Sequence, residues 1–368
     1  MQKRKLAAVW IESHRRWQLK IQRDGVRRTF YSSIPGKRGK SECERKAALW
    51  ADGFCNSPMK LGALWKLFLV DQEARTGTGN YTNMESIGRT WILPKLAHKR
   101  VENITEQDFQ NILNSAAMKG RSKKTISNIR GAFTAFLRFA RKNRATDLRA
   151  DDLVIPHRAP IGKRTVLEGR DLSILFTSTK TMHRQKVIDE WYIHAFRFLA
   201  SAGLRPGELC ELKEREQTST KSLSVTGSLN RFGEHTSGKT ANAIRTFVLP
   251  TIALQIIGDQ KAMLKAAGIV SPYLFPAPDG NQSTSALLYK HWIKYQKFND
   301  LPGISLYELR HTFVSVCKGN VPEPLIKPII GHSSDMPSYK TYGHAMSGEL
   351  EMVAKMIDSA YAEIGAKK

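Results

Sequence analysis

The sequence predicts a multidomain chain, mainly α with small β units, and three patterns carry that expectation. Residues 1–55 alternate apolar and polar side chains with a period of two. Residues 59–145 repeat apolar side chains at helical spacing, and 166–368 do so again around a single β segment. Between the last two, 146–165 is polar and charged and holds Pro156 and Pro160, which is a linker composition.

In the first region, Leu6 to Glu12 alternates, and Arg16 to Gln22 sets Trp17, Leu19 and Ile21 on one side. Asp24-Gly25 is a hairpin signal, and Val26 to Ile34 is the third strand candidate. Ser41 is placed to cap a helix to about Gly53, with Glu44 in the capping-box position. The region holds 14 Lys/Arg against 5 Asp/Glu. A three-stranded sheet bearing Arg15, Arg16, Lys20, Arg23, Arg27 and Arg28 either enters a DNA groove as a β-reader or presents a solvated basic face.

In the second region, helices are expected over Leu61–Ala74, Tyr81–Leu96, Thr105–Met118 and Ser122–Lys142. Thr105 and Asp108 form a capping-box pattern. The last helix carries Ile126, Ile129, Ala132, Phe133, Phe136, Leu137 and Ala140 as its apolar stripe. Lys123, Lys124 and Arg130 are the basic residues on it taken as DNA contacts. The aromatic stripes read as core, not as base-stacking platforms.

In the third region, the β segment runs from Lys221 to Asn230, through a polar turn, then from Asn242 to Leu249. Pro328 is expected to break a regular helix. The tail from Glu349 to Ala366 spaces Leu350, Val353, Met356, Ile357, Ala360 and Tyr361 as an amphipathic helix.

Charge narrows the function. The 58 Lys+Arg against 33 Asp+Glu give a net +25, a field that attracts polyanions and gains affinity by counterion release. A basic RNA or ribosome partner fits the same number. Cys43, Cys55, Cys210 and Cys317 show neither CxxC nor zinc spacing, as expected of a reducing cytosol. The basic N-terminus lacks an apolar stretch behind it, so no signal peptide is expected, and no apolar run is long enough to span a membrane.

Three short constellations remain. Leu204-Arg205-Pro206-Gly207-Glu208-Leu209 follows an apolar helix that stops at Gly203. Pro206 suits the first position of the next helix, so Arg205 sits at a break between two helices. Alone, this is either a held oxyanion site or a surface Arg–Glu pair. Ser305-Leu306-Tyr307-Glu308 is a capping box, and Tyr307 shares a face with Arg310, three residues on. Gly331-His332 is followed by Tyr339 and then Tyr342-Gly343-His344.

Taken together and in this order, R-x-x-E, then R-H, then G-H and a downstream Tyr resemble the tyrosine recombinases, or phage-type integrases, over roughly 166–360. The N-terminal regions resemble the arm-binding and core-binding domains of integrases from conjugative transposons and prophages. The resemblance implies a β-rich arm-type DNA-binding domain (1–55), a helical, SAM-like core-binding domain (59–145) and a mixed α+β catalytic domain (166–368). It assigns Arg205 and Arg310 to the scissile phosphate, His332 to a hydrogen bond with it, and Lys239 to protonation of the leaving 5′ oxygen. Tyr342 is the nucleophile and Glu208 a supporting acid. The family usually has His where this chain has Tyr307. A phenol with a pKa near 10 is a poor base at neutral pH, so base assistance comes from elsewhere or is less needed.

The implied activity is site-specific recombination, integrating and excising a mobile element through a 3′-phosphotyrosyl intermediate. Neither cofactor nor metal is expected. The implied partners are double-stranded DNA attachment sites and a homotetramer, with an excision directionality factor and a host DNA-bending protein as candidate accessories. The location is the bacterial cytoplasm or nucleoid. The tail helix either docks on a neighbouring protomer, as a heterologous ring would need, or packs on its own domain, and exchange is the preferred expectation. A type IB topoisomerase-like enzyme and a non-catalytic DNA-binding protein are the alternatives. The separate basic N-terminal unit disfavours the first, and the intact residue set disfavours the second.

Overall fold

The computed structural model describes residues 7–23, 26–51, 59–162, 165–219, 221–237, 243–331 and 348–366. The chain divides into two compact units, Met1–Lys163 and Arg164–Lys368.

The first unit opens with an antiparallel sheet, β1 (Val9–Ile11), β2 (Arg16–Arg23) and β3 (Val26–Ser32), in that order. Arg23 pairs with Val26, so the hairpin closes where Asp24-Gly25 marks it, although those two residues lie outside the described set. Helix α1 (Gly36–Ala51) covers one face, burying Ala8, Leu19, Cys43 and Ala47 with Trp17, Ile21 and Phe30. It begins five residues before the expected cap at Ser41. A Cβ on Gly39 would lie 1.6 Å from the Ile34 carbonyl oxygen, so the first turn can pack on the end of the sheet only because glycine is there. Glu44, expected in a capping box, instead accepts the Ala8 N–H at 3.0 Å.

A second, separate apolar cluster belongs to α2 (Leu61–Arg75), α3 (Thr78–Ile87), α4 (Leu93–Leu96), α5 (Glu106–Met118) and α6 (Lys123–Lys142). The helix expected over Tyr81–Leu96 is α3 and α4 joined by a π turn, Gly88–Ile92. The wider turn accommodates Pro94, whose ring and missing N–H do not fit a regular helix. The Thr105–Asp108 capping box forms, and α6 buries all seven residues of its expected stripe. Trp65 and Phe136 meet at 5.0 Å, and Phe109 and Phe133 at 4.7 Å, so these aromatics are core.

The stretch 146–160 is a strap and not a free linker. Ala150, Leu153 and Ala159 are buried in the helical cluster. Arg141 donates to the Leu148 carbonyl at 2.7 Å and Arg130 to that of Leu153 at 3.1 Å. Gln110 pairs with both backbone groups of Val154. Proline and charge hid three apolar anchors.

The second unit runs through α7 (Gly169–Thr177), β4 (Lys180–His183), β5 (Lys186–Asp189), α8 (Ile193–Ala202), α9 (Pro206–Glu211), α10 (Glu214–Gln217), β6 (Ser222–Val225), β7 (Ser228–Leu229), β8 (His235–Thr236) and β9 (Arg245–Val248). It continues with α11 (Thr251–Ala266), α12 (Ser285–Phe298), α13 (Leu306–Cys317), α14 (Glu323–Ile330) and α15 (Glu349–Ala366). Helix α8 packs on both α11 and α13 and is buried along nearly its whole length. Each large apolar side chain it buries contributes about 1.5–3 kcal/mol.

The expected β segment is two antiparallel pairs, β6 with β9 and β7 with β8. The β4–β5 hairpin carried no sequence signal. Its turn residues, Arg184 and Gln185, have φ 46° and 64°, values that usually call for Asn or Gly. Pro328 does not break α14. It lies three residues before the helix ends at Gly331, whose N–H still reaches the Pro328 carbonyl at 3.1 Å.

The tail helix α15 packs on its own unit, one of the two expected arrangements. Val353, Ile357 and Tyr361 join the main apolar cluster. The Asp358 carboxylate accepts the Thr251 and Ile252 N–H groups at 2.9 and 3.2 Å, capping α11. Among the described residues, no helix is long and apolar enough to cross a membrane.

Candidate active site

Arg205, in extended conformation, is the N-cap residue of α9, two residues after the left-handed Gly203. A Cβ on Gly203 would lie 2.4 Å from the Phe313 ring, so α8 can end there only with glycine. Pro206 opens α9, where its missing N–H costs nothing. The Glu208 side chain, 3% exposed, turns back to accept the Arg205 N–H at 2.9 Å and the Arg205 Nη1 at 2.6 Å.

Glu208 has a second cation that the sequence reading passed over. Arg245, in β9, donates Nη1 and Nη2 to the two Glu208 oxygens at 3.1 and 2.9 Å. Its strand was recognised, but its direction was not used. Phe247 and Leu249 are buried, and a period of two sets Arg245 on their side. A charge on the apolar face of a strand was the signal that could have found it.

Arg310 lies in α13 and is 1% exposed. Its Nη1 donates to the Gly203 carbonyl at 2.9 Å, and its Nη2 to the Ile330 carbonyl. Tyr307, one turn earlier, is exposed, and its ring centre is 6.0 Å from the Arg310 guanidinium carbon. Glu308 closes the Ser305 capping box as the sequence indicated.

The three arginines converge on the end of α14. Arg245 Nε donates to the Ile329 carbonyl at 2.6 Å, Arg310 to that of Ile330, and Arg205 to that of Gly331 at 3.4 Å. These are consecutive carbonyls at a helix C-terminus, where orphan acceptors and the negative end of the dipole favour cations. Gly331, with φ 64°, ends the helix. His332, Tyr339 and Tyr342 follow it in sequence but lie outside the described residues, as does Lys239.

Electrostatics follow from this packing. Burial pushes the Glu208 carboxyl up, but Arg245 and Arg205 outweigh it and hold it below the usual carboxylate range. Burial lowers Arg205, yet Glu208 and then Tyr307 outweigh that and raise it. Burial first, and the Arg205 charge second, pull Arg310 down to about 10. One carboxylate thus pairs with two guanidiniums, and its charge reaches the third. Such a cluster is suited to an added anion, which guanidinium groups bind with fixed geometry.

A second latch lies on α9. Glu211 Oε2 is 2.7 Å from His235 Nδ1 in β8 and accepts Gln282 Nε2 at 3.2 Å. Glu208 and Glu211, one turn apart, therefore hold β9 and β8 respectively.

In the first unit, the expected DNA contacts separate by face. Opposed residues share a face, so Arg16, Lys20 and Arg27 line the open side of the sheet with Gln18, Thr29 and Tyr31. The Arg16 guanidinium lies 4.0 Å from the Tyr31 ring centre. Arg28 is opposite Ile21 on the α1 side, though exposed, and Arg15 is in the left-handed turn before β2. The Arg23 side chain lies outside the described residues. On α6, Lys123 and Lys124 form the first turn. Arg130 joins Arg138, Ser127 and Thr134 along a groove of about 350 Å³, while also holding the strap.

No protein-family model matches the sequence, and no curated protein does. Solved structures do. The chain is similar to the Tn1549 transposon integrase in complex with transposon right end DNA, with a TM-score of 0.61 and 18% identity over 80% of this chain and 98% of that one. It is also similar to a lambda integrase tetramer bound to a Holliday junction, with a TM-score of 0.59 and 15% identity over 92% of this chain and 96% of that one. The chain therefore has the fold of these integrases.

Proposed function

We propose that this protein is a tyrosine-type site-specific DNA recombinase that integrates and excises a mobile element. The observation that carries the reading is the pairing of Arg205 and Arg245 with the Glu208 carboxylate and the convergence of both, with Arg310, on one helix end, immediately before His332 and ten residues further Tyr342. The integrase fold and the net charge of +25 support it.

In this reading, the Tyr342 oxygen attacks the scissile phosphorus in line, the bond to the 5′ oxygen breaks, and a 3′-phosphotyrosyl ester forms. The free 5′-hydroxyl of a second strand then attacks the ester and releases Tyr342. Two exchanges of equal bond type need no external energy source. Arg205 and Arg310 meet charge on the non-bridging oxygens, His332 adds a hydrogen bond, and Lys239 protonates the departing 5′ oxygen. Tyr307 stands beside Arg205 as a donor to the same phosphate. Three regions divide the work: 1–55 for arm-type sites, 59–145 for the core site and 166–368 for chemistry. The working form is a tetramer in the bacterial cytoplasm, as the tetramer of the lambda integrase suggests. An excision directionality factor and a host DNA-bending protein set direction.

A nicked suicide substrate carrying the attachment site tests the chemistry. Wild type and Tyr339→Phe trap a covalent adduct on a denaturing gel, and Tyr342→Phe does not. Loss with Tyr339→Phe alone moves the nucleophile. No adduct from any form, with DNA binding intact, leaves only a DNA-binding protein. For the first unit, Lys20→Ala and Arg27→Ala each reduce the slope of log affinity against log salt by about 0.9 if each meets one phosphate.

A further inference from the structure

We infer that Arg245 is the positioning residue of the candidate centre, a fork that sets Arg205 by fixing Glu208 and at the same time holds the helix end leading to His332. The inference rests on the recombinase reading for its reaction, and on described side chains alone for its geometry. Arg245 is nearly buried, and each of its three nitrogens has an acceptor. Two bind the oxygens of Glu208, so the carboxylate cannot rotate about its own axis. Those oxygens in turn hold the Arg205 backbone and guanidinium.

The third nitrogen of Arg245 donates to the Ile329 carbonyl, next to the carbonyls taken by Arg310 and Arg205. One planar group therefore registers α9 against α14. Lysine cannot replace it, because a single ammonium lacks the fork geometry that spans both oxygens and the carbonyl together. Without the fork, Glu208 is left to Arg205 alone and draws that guanidinium inward. Arg245 acts through its neighbours and is not a group that touches the phosphate.

The test compares Arg245→Lys and Glu208→Gln with wild type, after thermal melting shows each folded. Adduct formation on the suicide substrate is followed from pH 5 to 9, with DNA affinity measured in parallel. Arg245→Lys is expected to slow adduct formation by about 100-fold, the scale of one misplaced catalytic donor, with affinity unchanged. The acid limb of its rate profile moves to higher pH, because a lysine ammonium cannot donate to both Glu208 oxygens at once and holds the carboxylate ionised less firmly. Glu208→Gln removes that limb. A wild-type rate and profile in Arg245→Lys overturns the inference. If wild type forms no adduct, the recombinase reading fails, and acid unfolding decides the fork separately. A midpoint at higher pH in Arg245→Lys upholds the hold on Glu208, and an unchanged midpoint overturns it. If Arg245→Lys does not fold, Glu208→Gln carries the same comparison: a stability deficit against wild type that shrinks from pH 7 to pH 3 upholds the hold, and a deficit that does not change with pH overturns it.

Discussion

Arginine does different work in the two units. In the first, Arg130 and Arg141 extend from α6 to the Leu153 and Leu148 carbonyls and hold an irregular strap on a helical bundle. Both remain partly in water, so each contact stabilises at little desolvation cost. In the second, Arg245 is nearly buried and Arg310 fully so, and burial first and the Arg205 charge second pull the Arg310 pKa down. Gathering like charges away from water works against folding. The first arrangement is explained by stability, while the second fits the proposed role of receiving the scissile phosphate.

That contrast can be broken by substitution. The largest effect is expected from Arg310→Ala, which lowers adduct formation by about 10³-fold on the scale of a lost oxyanion donor. The loss corresponds to about 4 kcal/mol of barrier and should exceed the change in unfolding free energy measured in urea. A stability loss larger than the rate loss would place Arg310 with the strap arginines.

Glu208→Gln is next. The folded carboxyl lies below its ordinary value, so its pairing stabilises the fold above the unfolded pKa of about 4.5 and is lost as pH falls through the folded value. Removing one partner of a buried pair costs about 3–5 kcal/mol near neutrality. The wild-type advantage should shrink in acid, which urea titrations at pH 7 and pH 3 would measure. Arg141→Ala, by contrast, should cost about 1.5–3 kcal/mol of stability by removing a charged hydrogen bond, and leave the adduct rate unchanged. The smallest effect is at the β4–β5 turn. The pair Arg184→Asn and Gln185→Gly should stabilise by about 1 kcal/mol, because two left-handed residues are relieved of strain. A fall in melting temperature would show that the turn side chains are needed.

The two hairpins explain how far the sequence could be read. Asp24-Gly25 announces β2–β3 because that pair favours a tight turn by itself. Arg184-Gln185 announces nothing, because its turn is imposed by strand pairing, anchored at the open end of the hairpin by the buried Thr181 and Glu190. The same division runs through the candidate site. Arg205, Glu208, Tyr307 and Arg310 stood out because local rules put them at helix starts: a glycine stop, a proline opening and a capping box. Arg245 did not, because its partners are 37 and 84 residues away.

What the sequence determined alone was whatever depends on near neighbours. It specified most helices of 59–145, the Thr105 and Ser305 capping boxes, the buried stripe of α6, the basic sheet and the order of the site motifs. Tertiary structure decided the rest: that 146–160 is a strap, that α1 begins at Gly36, that α15 docks on its own unit, and that three arginines meet three consecutive carbonyls. Each of these depends on a contact between distant segments. Side-chain spacing encodes which face of an element is apolar, but not which partner that face or charge will meet.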